Sequence, residues 1–227
     1  PDQRDGALAN LDVAVGVERL ADCDYVTEAV FESEDVKAGV YGKLAAVLAP
    51  SCIIATNTST IPISVLASHL GPERRPFFIG THFFSPVSRM ALVEVISGIE
   101  TSPATLEATL ELCRSIGKTP VPIRDVPGFA VNRLLHVFLI EAVRLVEEGV
   151  ATPEDLDLAC RLGLGHPMGP FELMDATTSS LCLQAQEIMH EAYGERFRPR
   201  PLLKQRVRAG MVGGRGKRGW RTRAAGS

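Results

Sequence analysis

The chain has 227 residues, 45% of them hydrophobic, and a net charge of −3, enough for one large domain or two small ones with a full core. Its five cysteines, Cys23, Cys52, Cys113, Cys160 and Cys182, are widely spaced and form no C-x-x-C pair. That argues against a disulfide framework and a zinc site, and for a reducing, intracellular setting, cytoplasmic unless organellar.

No run is long enough for a membrane span and no signal peptide opens the chain, so no membrane association is expected. Pro1 stands where a Met would begin a complete product, and the expectation is a fragment. No acid follows Glu195, while basic residues recur from Arg196 to Arg223. With only Phe197 and Trp220 as aromatics, this tail is thin for base stacking, and no nucleic-acid partner is expected.

In chain order, residues 1 to 22 read as charged and helical. A first strand is expected at Tyr25-Val26-Thr27, then a helix beginning near Ser33 or Glu34 with an apolar stripe of Val36, Val40, Leu44, Val47 and Leu48. Cys52 to Thr56 is a continuous apolar run, typical of a strand buried on both faces. Asn57-Thr58-Ser59-Thr60 follows it directly, and Pro62 opens a helix through Leu70. A strand, polar turn, helix order puts Asn57 and Ser59 at the carboxyl edge of a parallel sheet, where open α/β folds bind ligands. Ser59 or Thr60 could also cap that helix.

Two apolar runs, Phe78 to Phe84 and Ala91 to Ile96, flank a Pro-containing turn and read as neighbouring strands. Their pairing would bring His82 and Glu94 within reach of each other. A carboxylate on one imidazole nitrogen fixes the tautomer and stabilises the imidazolium, which makes the other nitrogen a competent base for a hydroxyl proton. Alternatively His82 is a satisfied core histidine and Glu94 a solvated strand residue.

Ser102 caps a helix that Gly117 closes, and Thr119 to Ile123 is an edge strand because its prolines cannot donate to a ladder. From Asp125 only helices are expected. Phe129 to Glu148 is apolar around most of its circumference, with a polar stripe of Arg133, His136, Arg144 and Glu147, which suits the centre of a bundle or a subunit contact. Further helices are expected from Pro153, from Phe171 after the rigid turn Gly163 to Pro170, and from Pro201 to Ala209.

Six motifs in this order, Glu28-Ala29-Val30-Phe31-Glu32, Thr56-Asn57-Thr58-Ser59, His82-Phe83-Phe84-Ser85-Pro86, Leu92-Val93-Glu94-Val95-Ile96, Pro127 to Arg133 and Pro167 to Leu173, resemble the 3-hydroxyacyl-CoA dehydrogenases. The resemblance implies an α/β chain, the C-terminal half of a Rossmann-type NAD domain (1–124) followed by an all-α dimerisation domain (125–227). It implies oxidation of L-3-hydroxyacyl-CoA to 3-oxoacyl-CoA with NAD as cofactor and an acyl-CoA partner, in a homodimer. By it His82 is the general base and Glu94 its partner. Ser59, Asn132 and Ser85 would touch the substrate, and Ala29, Glu32, Lys37, Asn57, Ser59 and Arg215 would lie on the cofactor side. Ser85 stands where the family has Asn; Arg215 and Gly216 replace the lysine and threonine of its closing segment. The family's opening strand, G-x-G-x-x-G turn and following ribose-holding acid are read as absent from this chain. Two other readings follow: a catalytically silent remnant that dimerises through its helices, and an NADP-dependent sugar-acid dehydrogenase.

Overall fold

A computed structural model describes residues 2–221. The chain forms two compact units, Pro1–Asp125 and Val126–Ser227; Arg223 of the basic tail lies outside the described residues. No helix among them is long and apolar enough to cross a membrane.

The first unit is built on a five-stranded sheet in sequence order: β1 (Tyr25–Glu28), β2 (Ile53–Thr56), β3 (Phe78–Phe83), β4 (Leu92–Ser97) and β5 (Thr119–Arg124). The first three strands run parallel, β4 is antiparallel to β3, and β5 is parallel to β4. The carboxyl ends of β1, β2 and β3 therefore meet the amino ends of β4 and β5 along one edge. Buried residues fill β3 and β4, whereas β5 is largely exposed. Thr119 N–H bonds inward to Ala91 O, so by the two-residue period the outward positions are Pro120 and Pro122. Neither can donate, which blunts that edge against further pairing.

The expected long opening helix is only α1 (Asp2–Ala9), followed by a 3-10 turn at Val17–Leu20. α2 (Glu34–Val47) starts where expected, with Glu34 and Asp35 favourably placed in its first turn. Its buried face differs from the expected stripe. Leu44 and Leu48 of that stripe are buried, but Val36 is 43% exposed and Lys37 and Tyr41 turn inward in its place. The reason is Glu28 beneath the helix, which accepts from Lys37 Nζ at 2.8 Å and Tyr41 Oη at 2.8 Å.

α3 is a short helix, Ile63–Ala67, and neither Ser59 nor Thr60 caps it. Asp125 does so from the end of β5, accepting from the Ile63 and Ser64 amides at 2.7 Å each and from the Ser64 hydroxyl at 2.6 Å. Asp125 thus packs with the first unit. α4 (Pro103–Ser115) has the expected Ser102 cap and ends at Gly117, whose φ of 75° is left-handed.

The second unit consists of α5 (Val131–Glu147), α6 (Pro153–Leu164), α7 (Pro170–Thr177), α8 (Ser179–Tyr193) and α9 (Pro201–Arg208). α5 supplies Leu139, Ala142 and Val143 to a core shared with Phe171, Met174, Leu203 and Trp220. His136, expected on a polar stripe, is buried against Cys182, while Leu134 and Val137 of the same helix are exposed. Asp157 of α6 caps α7 through the Phe171 amide at 2.8 Å. Asp175 anchors the closing segment by accepting from the Trp220 and Arg221 amides. Several tail cations serve as internal ties: Arg200 to Glu147, Arg221 to Glu172, and Arg206 over the Trp220 ring.

Candidate active site

His82 and Glu94 are direct cross-strand partners of β3 and β4. Glu94 Oε2 lies 2.8 Å from His82 Nδ1, and the two residues are 4% and 1% exposed. A carboxylate accepts only, so Nδ1 carries the hydrogen of this bond and Nε2 is the nitrogen suited to take a proton. The Phe84 ring packs 4.5 Å from the imidazole. Asn57, just past β2, accepts from the Phe83 amide at 2.9 Å and so ties the ends of β2 and β3 beside His82.

The turn after Asn57 is held from the connection between β1 and α2. Glu32 Oε1 accepts from the Thr58 hydroxyl at 2.6 Å, the Ser59 amide at 2.8 Å and the Thr60 amide at 3.0 Å. Below it, Lys37 Nζ is fully buried, 2.8 Å from Glu28 and 3.7 Å from Glu32. Burial pushes the Glu28 carboxyl upward, but Lys37, the Val30 amide and the hydroxyls of Thr56 and Tyr41 outweigh it and hold the group below the ordinary glutamate range. A chain of opposite charges thus runs from the sheet through Lys37 to the Ser59 turn.

Of the expected site residues, Ala29, Glu32, Asn57, Ser59, His82 and Glu94 come together at this one edge. Lys37 lies beneath it, engaged by glutamates. Ser85 is exposed in the turn that follows β3. Asn132, the second residue of α5, and Arg215, exposed in the closing turn, belong to the second unit. Sequence reading missed the roles of Glu28 and Asp125. An acid ending a strand was the available signal in both cases. It also missed that the G-x-G-x-x-G spacing does occur, at Gly214, Gly216 and Gly219. No strand precedes that segment and no helix follows it among the described residues, so it lacks the setting of a dinucleotide fingerprint. No group of three or more His, Cys, Asp or Glu side chains among the described residues could hold a metal ion.

Two family models cover nearly the whole chain: the 3-hydroxyacyl-CoA dehydrogenase NAD binding domain over residues 1–126 and the C-terminal domain of the same enzymes over residues 128–223. The chain belongs to the 3-hydroxyacyl-CoA dehydrogenase family. This dehydrogenase is 43% identical over 216 residues to a 3-hydroxybutyryl-CoA dehydrogenase of Bradyrhizobium diazoefficiens, covering 94% of this chain and 73% of that one. Among solved structures, FadB2 of M. tuberculosis matches with a TM-score of 0.93 and 38% identity, over 98% of this chain and 79% of that one. The (S)-3-hydroxybutyryl-CoA dehydrogenase PaaH1 of Ralstonia eutropha matches with a TM-score of 0.92 and 35% identity, over 98% and 78%.

Membership makes this dehydrogenase an oxidoreductase with NAD as its cofactor. The carboxyl edge fits the reacting end of such a dinucleotide, since it offers the buried His82 and Glu94 side chains, the Asn57 amide and the half-buried Ser59. A pyrophosphate cradle is not among the described residues. The helix that starts at this edge after β1, α2, opens with Glu34 and Asp35, which disfavour a phosphate.

Proposed function

We propose that the chain carries out NAD-dependent oxidation of an L-3-hydroxyacyl-CoA to the 3-oxoacyl-CoA, with His82 as general base and Glu94 as its partner. The observation that carries this reading is the buried 2.8 Å contact between Glu94 and His82 at the carboxyl edge of the sheet. Bound NAD supplies the acceptor for the hydride that leaves carbon 3. The hydroxyl proton on the same carbon goes to His82 Nε2, and the carbonyl forms as both depart. Glu94 stabilises the imidazolium so formed and keeps the ring oriented. The similarity to 3-hydroxybutyryl-CoA dehydrogenases favours a short acyl chain, 3-hydroxybutyryl.

Ser59 and Ser85 are proposed to meet the substrate and Asn57 and Ala29 the cofactor side. Asn132 and Arg215 take ligand-holding roles on the strength of the family resemblance. For Glu32 and Lys37 the hydrogen bonds favour support of the Ser59 turn over direct contact. The first unit is read as the later part of a Rossmann domain, because the outer edge of β1 is unpaired among the described residues. The exposed Leu134 and Val137 on α5 support a homodimer through the helical unit.

NADH formation from 3-hydroxybutyryl-CoA, measured on this chain, on its His82→Gln variant and on a version extended upstream, tests the reading. Turnover in either wild-type form, lost in the variant, supports it. Equal turnover with and without His82 removes it. A second reading, a silent remnant, is favoured by the lack of a pyrophosphate cradle among the described residues. Calorimetry showing no NAD binding by the 227 residues, with a dimer by light scattering, would support that one.

A further inference from the structure

The segment from Phe84 to Ala91 joins the two strands that carry His82 and Glu94. Phe84 packs on the His82 ring, but residues 85 to 91 are all exposed, including Val87 at 51% and Met90 at 42%, so no apolar side chain beyond Phe84 anchors the turn. Within the turn, the Arg89 and Met90 amides both bond to Pro86 O. The carbonyls of Val87 and Met90 point elsewhere, to the ammonium of Lys118. Lys118 Nζ donates to Val87 O and, at 2.9 Å, to Met90 O. Among the described residues, the side-chain hydrogen bonds to this turn come from Lys118.

The aim of that ammonium is set by backbone on both sides. Lys118 N–H closes the end of α4 on Cys113 O at 2.9 Å, and Thr119 N–H bonds to Ala91 O at 2.8 Å. Lys118 makes no ion pair among the described residues, so its charge is spent on two carbonyl dipoles. A hydrogen bond from a charged donor is stronger than one between neutral groups. We propose that Lys118 is a positioning residue: it clamps the turn that carries Ser85, two residues past the His82-Phe83 end of β3, and so shapes the rim over the base. The proposal rests on the reading of His82 as the base of a hydroxyacyl-CoA dehydrogenase. It assigns Lys118 to substrate grip and not to proton transfer, because the His82-Glu94 contact is fixed by the sheet and does not depend on the turn.

The test compares wild type, Lys118→Met and Lys118→Arg. Methionine keeps length and loses the donors; arginine keeps both charge and donors. Hydrogen exchange of a peptide spanning residues 84–91 is read together with steady-state kinetics for acetoacetyl-CoA and NADH. In Lys118→Met, exchange at Arg89 and Met90 is expected to rise on the order of 10-fold, with Thr81 to Phe83 unchanged, as for loss of a charge-assisted bond. KM for acetoacetyl-CoA should rise by a similar factor, while kcat and its pH profile stay near wild type. Lys118→Arg should restore most of both. Unchanged exchange in Lys118→Met overturns the clamp, as does a rise spread equally over β1 and β2. A fall in kcat with a displaced pH profile would place Lys118 in the chemistry and overturn the positioning role. Absence of activity in both wild-type forms, these 227 residues and the version extended upstream, removes the dehydrogenase reading and with it the link to substrate, while exchange still decides whether Lys118 orders the turn.

Discussion

One oxygen of Glu32 holds the amide of Ser59 at 2.8 Å, across 27 residues of sequence. The same oxygen takes the neighbouring Thr58 and Thr60 groups, so a single carboxylate sets the shape of the turn after β2. Lys37 Nζ lies behind it, 3.7 Å from the other oxygen of that carboxylate. The turn that presents Ser59 is therefore fixed largely by a carboxylate from the connection between β1 and α2.

Glu32→Ala removes an acceptor worth roughly 1.5–3 kcal/mol per bond to a charged group. The expected outcome is a loss of kcat/KM for 3-hydroxybutyryl-CoA on the order of 100-fold, with the secondary structure retained by circular dichroism. Unchanged kcat/KM would show that the Ser59 turn is not part of the site.

His82→Gln keeps shape but cannot act as a base, and a general base typically contributes 10²–10⁴-fold. Turnover is expected to fall by a factor on the order of 100 or more. Glu94→Gln should slow the reaction less, because the imidazole remains but loses its counter-charge. Steady-state rates across pH 6 to 9 (roughly the range in which a histidine base titrates) check both; rates equal to wild type in both variants would end the assignment of this pair.

Burial pushes the His136 imidazole down from 6.5 to about 4. The unfolded chain then binds this proton first, so stability is fully present above about pH 6.5 and declines as the pH falls toward 4, where the folded state also protonates. The loss approaches about 1.4 kcal/mol per pH unit and about 3 kcal/mol in all. Trp220, the sole tryptophan, lies buried in this unit and reports it. Urea midpoints by Trp220 fluorescence should fall between pH 7 and pH 4.5 in wild type and vary less in His136→Gln.

At Gly169 a Cβ would lie 2.4 Å from the Asp157 Cα and 2.3 Å from its Oδ1. Backbone cannot move aside cheaply, and Asp157 is the cap of α7, so Gly169→Ala is expected to cost about 1–3 kcal/mol. A lowered melting midpoint read by Trp220, with little change in the exchange of β3 and β4, is the outcome sought. A midpoint within one degree of wild type would contradict the close approach.

Much of the sheet was legible because its strands are short apolar runs punctuated by Pro and polar turns, and the His82-Glu94 pairing followed from two such runs. What escaped was set by distant residues. Asp125 caps α3 from 62 positions away, so the local serine and threonine were poor guides. Lys37 and Tyr41 turn inward because Glu28 is there to receive them, which reverses the face that Val36 and Val40 suggested. The break between α7 and α8 is made by Thr178 at φ 82°, with neither glycine nor proline to mark it. His136 looked polar by residue type but is enclosed by neighbouring helices and given Cys182 as a neighbour.

The cross-strand placement of His82 and Glu94 also makes the pair a gauge of assembly. A slip of one residue between β3 and β4 would turn one side chain to the opposite face of the sheet, and the 2.8 Å contact would vanish. Any chain in which the two side chains meet has, by that fact, closed its antiparallel ladder in the correct frame. A probe of the His82-Glu94 contact can therefore score refolding and misassembly in a way that helix content cannot.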